Sequence, residues 1–241
     1  MEEIIIVSTL VIAGFIRGYT GFGFSAIVIL VLSSLYPVSE MVPAVLLLDL
    51  IVSLPLVASA WNKADFKLLT PILWATLIGV PFGYVALIYL PDNLLKVLVP
   101  SAILGLAVLS NAKTGISFRL SRSPLLCGFM SGWTTSAVSS GGAPVVIYMR
   151  CSNLPIEAQR NGLICYFFIT ACFVVGSGFV ITQEFQLLPN YPIGYTVTAL
   201  AALMVGKWVF NTIKIKSLHH IAFYLMLTLS ALTLFRAIWM L

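Results

Sequence analysis

The sequence predicts an all-α polytopic membrane protein made of two inverted repeats, each a broken-helix re-entrant hairpin followed by three transmembrane helices. Three observations lead there. Charged residues make up 9% of the 241 positions and apolar residues 60%, whereas a soluble domain carries about 25% charge. Eight acids and thirteen bases cannot cover a folded surface of this size in water. The apolar residues also fall into eight long stretches, and a glycine-rich block in the first stretch is echoed in the fifth.

Taken in order, the first stretch, 4–32, is interrupted by the block Gly14 to Ser25. Its leading residues, Met1-Glu2-Glu3, are acidic where a secretory signal is basic, so the segment is expected to be retained. Stretches 39–60, 68–90 and 94–111 are each long enough to span as a helix, and Asp49 lies near the middle of the first of them. The fifth stretch, 124–149, holds the second block, Ser131 to Gly142, and stretches 156–182, 192–211 and 218–240 complete the set. No joint exceeds about a dozen residues, which leaves no room for an extramembrane domain.

The echo reads Gly14-Phe15-Ile16-Arg17-Gly18-Tyr19-Thr20 against Gly128-Phe129-Met130-Ser131-Gly132-Trp133-Thr134. Gly23-Phe24-Ser25 then aligns with Gly141-Gly142-Ala143 if the second copy has four extra residues, Pro37 meets Pro155, and Gly83 meets Gly206. The expected repeats are residues 1–118 and 119–241.

Charge decides how the two blocks sit. If all eight stretches cross, six bases fall on each side, and the positive-inside rule is violated. If 4–32 and 124–149 instead enter and return as hairpins with two arms of about 12 residues each, the balance changes. Lys63, Lys67, Lys113, Arg119, Arg122, Arg150, Arg160, Lys207, Lys214 and Lys216 then share one face, opposite Lys96 and Arg236. A hairpin plus three crossings reverses the starting side of the second copy. The repeats become inverted, and their tips meet near the midplane, where broken helices hold substrate in transporters.

Beyond each break a half-helix begins, and its N-terminus presents unpaired N–H groups and about half a positive charge. Such an end favours an anion, with glycine allowing close approach. The expected binding residues are Arg17, Gly18, Thr20, Gly21, Gly23 and Ser25 in the first block and Thr134, Thr135, Ser136, Ser139, Ser140, Gly141 and Gly142 in the second. For Gly18 and Gly132, close helix packing is an equal alternative. Arg17 keeps its charge in the membrane and so either faces the anion or pairs with Asp49. Asp49 is the candidate proton-coupling carboxyl, with a structural hydrogen bond as its alternative. Glu157 and Arg160 read as a solvated pair at a helix start, with gating of the cytoplasmic mouth as the alternative.

Catalysis finds no support, since the chain lacks a P-loop, H-E-x-x-H and G-x-S-x-G. Cys127, Cys151, Cys165 and Cys172 form no C-x-x-C and read as buried reduced thiols; adjacent His219 and His220 point to different helix faces, so neither a metal nor another cofactor is expected. The net charge of +5 comes without a basic run interleaved with aromatics, which speaks for orientation in a bilayer and against nucleic acid.

The chain resembles the TauE/SafE sulfite exporter family, also called the 4-toluene sulfonate uptake permease family. The resemblance rests on the duplicated length, the early block Gly14, Gly18, Gly21, Gly23, and the second block ending Ser140-Gly141-Gly142. It departs from the commonest pattern in having Gly23-Phe24 where many relatives show a run of glycines. The resemblance implies transport of sulfite, sulfonates or related small organic anions across a prokaryotic cytoplasmic membrane, coupled to protons, with oligomer formation left open. An anion channel or a membrane-embedded assembly subunit are the alternative readings.

Overall fold

The computed structural model describes residues 2–111, 123–139, 141–152, 154–182, 193–212 and 218–239, and these are helical almost throughout, with no strand among them. The helices are α1 (Glu2–Thr20), α2 (Phe24–Leu32), α3 (Val38–Ala60), α4 (Phe66–Tyr89), α5 (Asp92–Asn111), α6 (Pro124–Val138), α7 (Gly142–Cys151), α8 (Ile156–Thr182), α9 (Ile193–Thr212) and α10 (Leu218–Trp239). A 3₁₀ turn, Trp61–Lys63, follows α3. Helices α1, α3, α4, α8 and α9 are long and apolar enough to cross a membrane. Large apolar side chains such as Trp74, Phe82 and Trp208 lie on the outer surface, where lipid solvates them.

Local chemistry sets the boundaries. The Asp65 carboxylate accepts from the backbone N–H of Lys67 and Leu68 and so starts α4. Ser123 does the same for α6 by accepting from Leu126 N, with Pro124 in the first turn, where its missing N–H costs nothing. Asp92 ties α5 to α3 by accepting from Val38 N at 2.6 Å. Prolines inside α3, α4 and α5 are tolerated because these helices are held by their neighbours.

Packing between the two halves is reciprocal. Helix α1 packs on α9 and α6 packs on α4, while α3 meets α8 and α5 meets α10. The first two contacts are glycine seams. A Cβ at Gly14 would strike Ala199, one at Gly18 the Leu203 carbonyl, and one at Gly206 the Phe15 carbonyl. In the other seam Gly128 faces Ile72, Gly132 faces Thr76, and Gly83 faces the Trp133 carbonyl. Without side chains the backbones approach closely, which is how helices gain dispersion energy where lipid removes the hydrophobic drive.

These contacts correct the alignment of the two glycine blocks. Gly14 rests on Ala199 as Gly132 rests on Thr76, and Phe15 meets Gly206 as Trp133 meets Gly83. The packing therefore matches Gly14-Phe15 with Gly132-Trp133, one helical turn beyond Gly128-Phe129. A constant separation of 118 positions then runs from Gly14 and Gly132 to Pro37 and Pro155, with no four-residue insertion. Small residues recur every fourth position along both helices, so the string matches itself in two registers; only the facing helix selects one.

The seams also give directions. Positions rise together along α1 and α9, and along α4 and α6. They rise together along α4 and α8 too: Leu69 lies by Gly162, Thr76 Oγ1 and Tyr166 Oη are 2.7 Å apart, and Tyr84 lies by Gly178. Helices α6 and α8 thus run the same way, with α7 between them.

The breaks are shorter than the glycine blocks. Gly14 to Thr20 and Ser131 to Val138 remain helical, and of the described residues in the two blocks only Gly21 to Gly23 and Ser139 and Gly141 fall outside the helices. The helices flanking the breaks are unequal in length, against the expected 12 and 12: α1 has 19 residues and α2 nine, α6 has 15 and α7 ten. Glycine inside a helix costs only about 1 kcal/mol against alanine, and the seams offset that. A break forms where the backbone turns left-handed, at Gly21 (φ 84°), Gly23 (φ 95°) and Ser139 (φ 57°).

Two of the expected buried thiols are exposed. Cys127 and Cys165 are buried, whereas Cys151 and Cys172 lie on the surface, Cys172 on a helix long enough to face lipid.

Candidate functional site

The carbonyl end of α1 is satisfied by two arginines. Arg17 Nη1 donates to Gly21 O at 2.8 Å. Arg160, from the first turn of α8, donates through Nε to Tyr19 O at 2.8 Å and through Nη2 to Gly18 O. Gly21 N returns to Arg17 O, and Thr20 Oγ1 donates to Ile16 O and Phe22 O. Cations at a helix C-terminus complement its partial negative charge. Arg160 is 7% exposed and its guanidinium stacks 4.1 Å from the Phe210 ring, so it is buried and not solvated as expected, while it still feels the charge of Glu157.

Arg17 is 1% exposed and pairs with Asp49, Nε to Oδ1, at 3.3 Å. Ser53 lies between them: its Oγ accepts from Arg17 Nε at 3.3 Å and Nη2 at 3.0 Å, and donates to Asp49 Oδ1 at 3.0 Å. Of the two openings for Arg17, the ion pair is the one this conformation adopts. The network has no twin in the other half. At a separation of 118 positions, Thr135, Phe167 and Ala171 stand where Arg17, Asp49 and Ser53 stand.

The N-terminal ends that follow the breaks, of α2 behind Gly23 and of α7 behind Gly141, have no side-chain cap among the described residues. The two breaks touch, with Ser25 Oγ donating to Ser139 O at 3.4 Å and Gly142 lying beside Phe22 of the other break. Ser139 Oγ is buried and has no hydrogen-bond partner among the described residues. Phe22, Gly23, Ser25, Gly142 and Phe167 are partly exposed, although the helices around them are largely buried.

The remaining expected residues divide by what they touch. Thr134 Oγ1 donates to Met130 O, Thr135 Oγ1 to Ser131 O, and Ser136 Oγ to Val80 O and Gly132 O, so these hydroxyl protons serve helix backbones. Thr20 is engaged at the first break as described above. Gly18 belongs to the α1–α9 seam. Gly141 packs against Thr135 and the Ser131 carbonyl while its own carbonyl accepts from Ser131 Oγ. Ser25, Ser139 and Gly142 are brought together, with Gly21 and Gly23 shaping the opposite break. Ser140 lies outside the described residues.

Sequence reasoning missed Ser53, Phe22 and Phe167. Ser53 had a signal, since it stands four positions after Asp49 on the same helix face. The two phenylalanines had none, because an apolar ring in an apolar helix looks like packing. No group of metal-ligating residues occurs among the described residues.

The family model described as Sulfite exporter TauE/SafE matches residues 6–234 of this chain. No curated protein and no solved structure matches it.

Proposed function

The chain belongs to the sulfite exporter TauE/SafE family and is a multi-pass membrane transporter of sulfur-containing anions, and from that premise we propose how it holds and moves its cargo. A small oxyanion, sulfite or a sulfonate, binds between the N-termini of α2 and α7. One observation carries this reading: the carbonyl end of α1 is closed by Arg17 and Arg160, whereas neither half-helix N-terminus has a side-chain cap among the described residues, and the two breaks touch at Ser25 and Ser139. Exposed N–H groups and aligned peptide dipoles replace the water an oxyanion loses on entering the membrane.

In this reading the halves 1–118 and 119–241 are inverted repeats. The shared direction of α6 and α8, with α7 between them, supports a segment that enters and returns on one side, and the reciprocal packing of α1 on α9 supports the same for α1 and α2. The side rich in lysine and arginine faces the cytoplasm of a prokaryotic cell. Asp49 carries the coupling proton. When it is neutral the Arg17–Asp49 attraction is lost, and the guanidinium becomes free to accompany an anion. Because the pair occurs in one half only, each protein has one such carboxyl.

The test is flux of labelled sulfite into sealed proteoliposomes with and without a pH gradient. Saturable, gradient-dependent uptake is expected of the carrier. Non-saturating conductance overturns it in favour of a channel, and absence of sulfite flux and binding overturns the anion assignment.

A further inference from the structure

We infer that Phe22 and Phe167 form the wall that sets the size of the anion, restricting the site to sulfite and sulfonates with very small substituents. The inference rests on the anion site proposed above. A Cβ built on Gly142 would lie 3.5 Å from Phe167 Cζ and 3.8 Å from Phe22 Cδ2. A methyl group on the first residue of α7 would therefore be in ordinary contact with two ring edges, which bound the space beside that helix start. Phe167 Cζ and Phe22 Cδ2 are edge atoms, which carry the positive side of the aromatic quadrupole and so tolerate an anion. On the same break, Ser139, three positions before Gly142, contributes a buried hydroxyl donor with no hydrogen-bond partner among the described residues.

The Phe22 backbone and the Phe167 ring are each held from two sides. The Phe22 backbone bonds to Thr20 Oγ1 through its N–H at 3.3 Å and its carbonyl at 2.9 Å. The Phe167 ring lies 5.5 Å from Arg17 Cζ and stacks edge-on with Tyr166 at 5.2 Å. A Phe167 ring held between Arg17 and Tyr166, and a Phe22 held by its backbone, make a wall and not a flexible lining. Phe167 also stands at the position equivalent to Asp49, so one half uses this place for the ion pair and the other for the wall.

The experiment measures sulfite and benzenesulfonate binding by calorimetry to the purified full chain in lipid nanodiscs, for the native protein, Phe167→Ala, Phe167→Leu, Phe22→Ala and Gly142→Ala. The native protein is expected to prefer sulfite by about tenfold or more, since a rigid pocket rejects an oversized group more sharply than one missing methylene. Phe167→Ala should lower that preference by about tenfold while sulfite affinity stays within about threefold. Phe22→Ala should act in the same direction, and Phe167→Leu, which keeps most of the volume, should retain the preference and serves if the alanine variant does not fold. If sulfite binds and Gly142→Ala weakens it, yet no phenylalanine variant changes the ratio, the wall is overturned and the anion site stands. If the native protein binds neither anion, the site itself is overturned and the wall with it.

Discussion

Arg17 and Asp49 meet at 3.3 Å inside the protein, bridged by the hydroxyl of Ser53 and nearly sealed from the exterior. The pair joins the end of α1 to the middle of α3, and Arg17 also holds the Gly21 carbonyl at the first break. A change in the charge of Asp49 therefore reaches the backbone that shapes the candidate site.

Removing one partner leaves a buried charge without compensation, which costs about 3–5 kcal/mol. Arg17→Gln alone and Asp49→Asn alone should each lower the thermal stability of the detergent-solubilised protein. The double variant should recover most of it. Additive losses in the double variant would contradict a coupled pair.

Asp49→Asn examined for transport tests the coupling role separately. Proteoliposomes with this variant should show sulfite flux that no longer responds to an imposed pH gradient, whatever its absolute rate. A gradient response equal to the native one would remove Asp49 from the coupling pathway. Ser53→Ala, which keeps both charges, should leave the gradient response in place and reduce stability by about 1 kcal/mol, the typical worth of a hydrogen bond.

Gly18 and Gly142 should respond in opposite ways. A Cβ at Gly18 would run into the Leu203 carbonyl, so Gly18→Ala should separate α1 from α9 and lower the amount of folded protein in the membrane. At Gly142 a Cβ meets only ordinary contacts, so Gly142→Ala should fold normally. It should still weaken sulfite binding about 10- to 150-fold, the equivalent of one charge-assisted hydrogen bond at about 1.5–3 kcal/mol. Calorimetric titration with sulfite, beside a melting curve without it, separates the two effects.

Ser139→Ala removes a buried hydroxyl that lacks a partner among the described residues. Without anion the variant should be as stable as the native protein or more stable by about 1 kcal/mol. With saturating sulfite the order should reverse. A variant that is less stable under both conditions would mean that the hydroxyl serves the fold.

The proposed fold-back of α6 and α7 is open to labelling. Single cysteines introduced as Ser121→Cys and Ser152→Cys, in a background without native cysteine, should react with an impermeant reagent from the same side of the membrane. Reaction from opposite sides would make this segment a crossing.

The membrane class was legible in the composition, because 9% charge cannot solvate a surface of this size. The helices were legible in the lengths of the apolar stretches, and the first break in its glycines, since left-handed backbone at Gly21 and Gly23 follows from the absence of Cβ, whereas at the second break the left-handed residue is Ser139. The family, too, was legible in the glycine blocks and the duplicated length. Tertiary structure decided everything that depends on what a residue faces. A glycine in an apolar helix reads the same whether it seats a neighbouring backbone, as Gly18 does, or borders an open helix end, as Gly142 does. The register of the two halves was ambiguous by one turn until Thr76 and Ala199 lay against Gly132 and Gly14. Arg160 looked like a surface charge because it follows polar residues at a helix start, yet the C-terminal carbonyls of α1 draw it inward. Backbone conformation is a local property and leaves its mark in the residue that adopts it, whereas partners arrive from more than a hundred positions away and leave no mark in either segment alone.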